Sequence, residues 1–179
     1  MAESRLTEIR EQKDGETFHD PVVVVDVDET ILDNSPYFAR LVLNNEVFTD
    51  ESWKEWTGMQ AAKFLPGAES FLQHAENLGF PVYFVSNRDE VEIKSTIQNL
   101  KNLGYKNLNP ELFLFKGAER NKTKRREKIA AEHDIVLLIG DNLLDFTEAF
   151  AQLEAEELVD QKELMKEIGK RFIVLPNAL

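Results

Sequence analysis

The stretch that decides the fold is PVVVVDVDET, residues 21–30. Its valines are apolar and β-branched, and the run is too short for a comfortable helix, so it reads as a strand buried on both faces. Yet it ends on Asp26, Asp28 and Glu29. Carboxylates at the mouth of an apolar strand are costly unless a cation or a proton compensates them. The acids are therefore either solvated at a strand end or part of a site.

Downstream, the pattern repeats. PVYFVSN (81–87), ELFLF (111–115), IVLLIGD (135–141) and RFIVLP (171–176) read as further strands. Between them EVEIKSTIQNLKNLG and the basic NKTKRREKIAAEHD read as helices, and LLDFTEAFAQ and EAEELVDQKELMKEIGK as two more. NSPYFARLVLNN and TDESWKEWTGMQAAKF predict two short helices after the first strand, and AESFLQHAENLG another closed by Gly79. Apolar strands alternating with helices define an α/β fold, a parallel Rossmann-like sheet covered on both faces. Residues 1–20 form a polar, partly helical lead-in, 21–179 the domain, and about 35–75 a small helical cap inserted into it. Such sheets gather ligands at the carboxyl edge of their strands. Asp26 and Asp28, then Ser86, Asn87 and Arg88, then Asp141 all follow strands, so all fall on that edge.

Composition narrows the chemistry. The 179 residues carry a formal charge of −12, which argues against a nucleic-acid polymer as partner. KTKRREK at 122–128 is the one basic cluster, and no stretch approaches the roughly 20 apolar residues of a membrane span. Without cysteine there is no thiol nucleophile or thiolate metal site, and His19, His74 and His133 are too scattered for zinc. A calcium loop starting at Asp26 would need Gly and Glu where Ile31 and Tyr37 stand. Asp26 and Asp28, two apart, share a strand face, and close carboxylates need either a shared proton or a metal. With Asp141 they offer an all-oxygen set suited to Mg²⁺, which also bridges to phosphate. Phosphoryl transfer would use every part: a carboxylate nucleophile, a second acid, a hydroxyl and an ammonium.

DVDET, SNR, a lysine at a helix start and GDNLLD together resemble the four motifs of the haloacid dehalogenase (HAD) superfamily. VVDVDETILDNSPY (24–37) and IVLLIGDNLLDF (135–146) are similar to the two signature stretches of its class C acid phosphatases. The resemblance runs from residue 21 to LPN at 175–177. It implies a Mg²⁺-dependent acid phosphatase acting on phosphate monoesters, nucleoside monophosphates and aryl phosphates among them. Asp26 would be the nucleophile and Asp28 the general acid and base, its backbone carbonyl also holding the metal. Ser86, Asn87 and Lys122 would bind phosphate, with Lys124 the alternative lysine. Asp141 would bind the metal alongside Asp26, with Asp145 in its outer shell. A phosphotransferase or sugar-phosphate phosphatase on the same core, or a phosphate-binding protein with a vestigial site, are the alternatives. The family implies a bacterial cell-envelope address, lipid-anchored or periplasmic. This sequence shows neither signal peptide nor lipid-bearing cysteine and reads as a trimmed or short form.

Plainer readings stand beside these. Ser86 alone is a strand cap, Arg88 a surface charge, KTKRREK a solvated helix face and Asp145 a helix N-cap. Gly140 lets the backbone turn before Asp141, and Glu29 is a loop residue. Tyr37, Trp53 and Trp56 of the cap could stack on a nucleobase or aryl group, or simply pack.

Overall fold

The valine run forms β1 (Val22–Val25), with all four side chains buried. Alternate valines serve different cores. Val23 and Val25 pack with Leu72, Phe84 and Leu137, while Val22 and Val24 pack with Ile129, Leu138 and Phe172. That two-sided demand is why the strand lacks the polar alternation of a solvated sheet. The computed structural model describes residues 1–11, 18–152 and 162–176.

In chain order the helices and strands are α1 (Ala2–Glu11), β1, β2 (Leu32–Asp33), α2 (Ser35–Asn44), α3 (Asp50–Met59), β3 (Lys63–Phe64) and α4 (Ala68–Asn77). Then come β4 (Val82–Asp89), α5 (Ile93–Asn102), β5 (Phe113–Lys116), α6 (Thr123–Ala130), β6 (Ile135–Gly140), α7 (Lys162–Glu167) and β7 (Phe172–Val174). Five strands form one sheet in the order β5-β4-β1-β6-β7, and every pairing in it is parallel. From β1 the chain builds outward through β4 and β5 on one side, then through β6 and β7 on the other. The order reverses at β1, which opens a crevice at the carboxyl ends of β1 and β6. This is the α/β architecture expected, with helices covering the sheet.

Several segments differ from expectation. LLDFTEAFAQ makes two 3₁₀ turns, Leu143–Asp145 and Glu148–Gln152, rather than one α-helix. Asn142 accepts from Leu144 N at 2.9 Å and Asp145 accepts from Asn142 N at 3.0 Å, which closes the first turn on itself. The end of TDESWKEWTGMQAAKF leaves the helix at Gln60 (φ 55°) and becomes β3, paired antiparallel to β2. Two helices, α2 and α3, lie between β2 and β3, whereas α4 packs against α1 and β4. The lead-in contains a docked helix: Leu6 and Ile9 of α1 are buried in the larger core, and Thr7 Oγ1 meets His74 Nε2 at 2.9 Å. Much of EAEELVDQKELMKEIGK and the last residue of LPN lie outside the described residues. Among those described, no helix is long and apolar enough to cross a membrane.

Candidate active site

Asp26 emerges from β1 with its backbone N–H donating to Ile139 O at 2.9 Å, which pins it between β1 and β6. Its carboxylate opens on a cavity of about 420 Å³ that Asp28, Asn87, Lys122, Asp141 and Asp145 also line. The strands thus bring most of the expected site residues together. Ser86 is fully buried beside that cavity, its hydroxyl turned to Asp28 Oδ2 at 3.4 Å.

Lys122 precedes α6 and is 5% exposed. Its ammonium pairs with the Asp26 carboxylate and lies 2.7 Å from Asp145 Oδ1. Lys124 instead points to solvent, where it pairs with Glu119 at 2.6 Å. The periodicity of α6 explains the split. Lys122, Arg125, Arg126 and Ile129 share one helix face at i, i+3, i+4 and i+7, and Lys124 falls outside it. That face is not a solvated one. Arg125 donates to Ser86 O and, at 2.7 Å, to Asn87 Oδ1, tying the end of β4 to α6. Arg126 donates to Leu144 O at 3.2 Å and Asp145 O at 3.0 Å, holding the turn that presents Asp145.

One carboxylate oxygen each from Asp26, Asp141 and Asp145 lies within 4.8 Å of the other two. Thr30 Oγ1 donates to Asp141 at 3.3 Å. The set is all oxygen and negatively charged, with one lysine against three acids, and so fits a hard divalent cation. Electrostatics agree. Burial, then the neighbouring Asp145 and Asp28, push the Asp26 carboxyl up to about 8 despite Lys122, which lowers it. Burial and Asp145 likewise raise Asp141. Burial pulls Lys122 down, but Asp26 and Asp145 outweigh it and hold its pKa above the ordinary value. The centre carries more negative charge than it can comfortably keep without a cation.

Asp28 faces a different set. Arg88 Nε lies 3.0 and 3.2 Å from its two oxygens, and Arg88 Nη2 lies 2.7 Å from Oδ1. Asn34 Nδ2 donates to the same Oδ1 at 2.9 Å. The two aspartates therefore line one cavity but hold separate partners. Arg88 is 2% exposed, so the surface-charge reading is wrong. Because β4 runs on to Asp89, Arg88 shares the buried face of Phe84 and Ser86; a longer strand reading would have revealed it.

Three more readings change. Gly140 is not among the positive-φ glycines. Its absent side chain makes room instead, since a Cβ there would lie 2.6 Å from Asp145 Cβ and 2.7 Å from its Cγ. Tyr37 and Trp56 are 1% and 9% exposed, so neither offers a stacking face. Tyr37 Oη bonds Ser52 Oγ and Trp56 Nε1 donates to Asn34 Oδ1, both at 2.8 Å. Trp53 is half-buried and, with Phe38 and Phe48, lines a cleft of about 170 Å³ that shares Asp28, Asn87 and Arg120 with the main cavity. Glu29 is more than a loop residue. It takes φ 54°, accepts from Asn34 N at 3.0 Å, and is raised to about 7 by burial and Asp28.

Comparison with known proteins places this geometry. The class C acid phosphatase of Bacillus anthracis superposes with a TM-score of 0.86 at 33% identity, over 98% of this chain and 74% of that one. Its tungstate-bound structure gives 0.87 at 32% identity, over 99% and 75%. Acid phosphatase 1 of Solanum lycopersicum is 34% identical over 84 residues, 47% of this chain and 33% of that protein. Stem 28 kDa glycoprotein of Glycine max is 29% identical over 140 residues, 74% of this chain and 55% of that one. The chain thus spans about a third to a half of the curated relatives it matches. Fold and site define a member of the HAD superfamily. Within it the chain belongs to subfamily IIIB, the acid phosphatases, whose family model matches residues 2–179.

Proposed function

We propose that the chain hydrolyses phosphate monoesters through a phospho-Asp26 intermediate, with Mg²⁺ as cofactor. The observation that carries this is the meeting of Asp26, Lys122, Asp141 and Asp145 in one cavity at the carboxyl edge of the sheet. Asp26, Asp141, Asp145 and the Asp28 carbonyl would hold the metal, which neutralises charge on the phosphoryl oxygens and keeps Asp26 ionised.

A carboxylate oxygen of Asp26 attacks phosphorus, an acyl-phosphate O–P bond forms, and the bond from phosphorus to the leaving oxygen breaks. Asp28 gives its proton to that oxygen, and the alcohol departs. Asp28 then takes a proton from water as the water attacks phosphorus, and the bond to Asp26 breaks to release inorganic phosphate. The sum is one ester and one water converted to one alcohol and one phosphate. Lys122 and Asn87 bind the phosphoryl oxygens, and Ser86 supports Asp28 from beneath. The tungstate bound by the Bacillus anthracis relative, a tetrahedral oxyanion, supports an anion site in this fold.

The cleft of Phe38, Phe48 and Trp53 would receive an aromatic leaving group, which suits aryl phosphates and nucleoside monophosphates. A p-nitrophenyl phosphate assay tests the reading. Turnover should need Mg²⁺, stop with chelator, and fall at least about 10³-fold in Asp26→Asn. Turnover that survives either change contradicts it.

A further inference from the structure

Arg88 touches neither Asp26 nor Lys122, yet it is held more completely than most side chains of the site. Its Nη1 donates to the buried Thr96 Oγ1 of α5 at 2.9 Å, and its backbone N–H donates to Ser86 Oγ at 3.1 Å. Its guanidinium lies 5.7 Å from the centre of the Trp53 ring of α3. Asn34, the second donor to Asp28, is itself fixed by Trp56 of the same helix. The Asp28 carboxylate is therefore framed by β4, α3, α5 and the residue before α2.

We propose that Arg88 is a positioning residue for proton transfer, fixing the Asp28 carboxyl toward the leaving oxygen through a frame that includes the helical cap. The proposal rests on Asp28 acting as the acid and base. Burying a guanidinium is expensive, and one with a single carboxylate partner is weak evidence of stability for its own sake. The planar fork suits orientation, since it fixes both carboxylate oxygens where an ammonium fixes one. Arginine also keeps its proton, so the proton leaving Asp28 has only the substrate oxygen or water to go to. The buried Trp56 then serves catalysis without touching substrate, and Trp53 does so beyond its place in the leaving-group cleft: they hold the two residues that hold Asp28.

Leaving-group dependence separates this role from a merely structural one. A nitrophenolate departs without a proton, whereas the alkoxide of glycerol 2-phosphate needs one. In kcat/KM, which reports steps only through leaving-group departure, Arg88→Gln should cost glycerol 2-phosphate roughly 10²-fold more than p-nitrophenyl phosphate. Arg88→Lys should leave most of that gap open, since an ammonium fixes only one of the two oxygens. In an Asp28→Asn background, Arg88→Gln should add little, because both changes remove the same function. Thr96→Val, a milder change that keeps the ion pair, should show the same ordering at smaller size if Arg88→Gln fails to fold. Equal losses on both substrates, or full additivity with Asp28→Asn, would overturn the proposal and leave the phosphatase reading intact. Undiminished turnover in Asp26→Asn would instead overturn the reading beneath it.

Discussion

At the scale of single residues, small differences in side-chain size and direction decide what the site can do. Asp26 and Asp28 are chemically identical and two positions apart, yet one meets an ammonium and the other a guanidinium. Gly140 shows how tight the arrangement is. Its backbone tolerates any residue, so alanine there tests space alone. Gly140→Ala should cost about 1–3 kcal/mol, as overpacking does, because the Asp145 side chain it strikes is short and tied to Lys122 and Asn142. It should also reduce turnover more than 10-fold by displacing Asp145 from the Asp26–Asp141 group. Thermal unfolding with a parallel activity assay checks both effects, and an unaffected enzyme would mean that the turn relaxes freely.

At the scale of elements, the strands were legible and their ends were not. Valine and isoleucine runs announce buried parallel strands whatever surrounds them, so β1 and β6 follow from composition and length. The 3₁₀ turns after β6 look helical by apolar spacing, but side-chain to backbone bonds at Asn142 and Asp145 compete with the α-helical pattern. The short β2–β3 pair has too few residues to show any period. Lys122 was placed by its position at a helix start, and the helix face explains why Lys124 cannot replace it. Sequence places Arg88 on the carboxyl edge without a role, and leaves Arg125 and Arg126 on a solvated helix face, because charge suggests solvent. Only the period-two continuation of β4 and the i, i+3, i+4 spacing of α6 signal that these cations point inward. The cap aromatics stand between two readings, stacking on substrate or packing, for the opposite reason. Sequence marks Tyr37 and Trp56 as large and apolar but does not say whether they face a substrate or the core, and packing turned both inward.

At the scale of the molecule, the acidic centre is a cost the fold carries for function, and pH exposes it. Folded Asp26 holds its proton more tightly than the unfolded chain, with its pKa raised from 3.8 to about 8. Glu29 does the same, from 4.5 to about 7. Their contribution to stability is complete below the unfolded values and is lost as pH rises through the folded ones. Asp89, lowered by Lys116 and Lys54, acts in the opposite sense, but only as pH falls below its ordinary value. The metal-free protein should therefore melt at a lower temperature near pH 8 than near pH 5, and Mg²⁺ should raise the melting temperature more at the higher pH. Calorimetry at the two pH values with and without Mg²⁺ reads this directly; a cation effect equal at both would contradict the charge imbalance at Asp26. The central claim is narrower still: a covalent phosphoryl group passes through Asp26. Asp28→Asn turning over p-nitrophenyl phosphate should accumulate that intermediate, since nitrophenolate leaves unaided while water goes unactivated. Acid quenching followed by peptide mass mapping should find the phosphoryl group on Asp26. Nitrophenolate release with no phosphoryl group on the protein, or with one on another residue, would contradict the account.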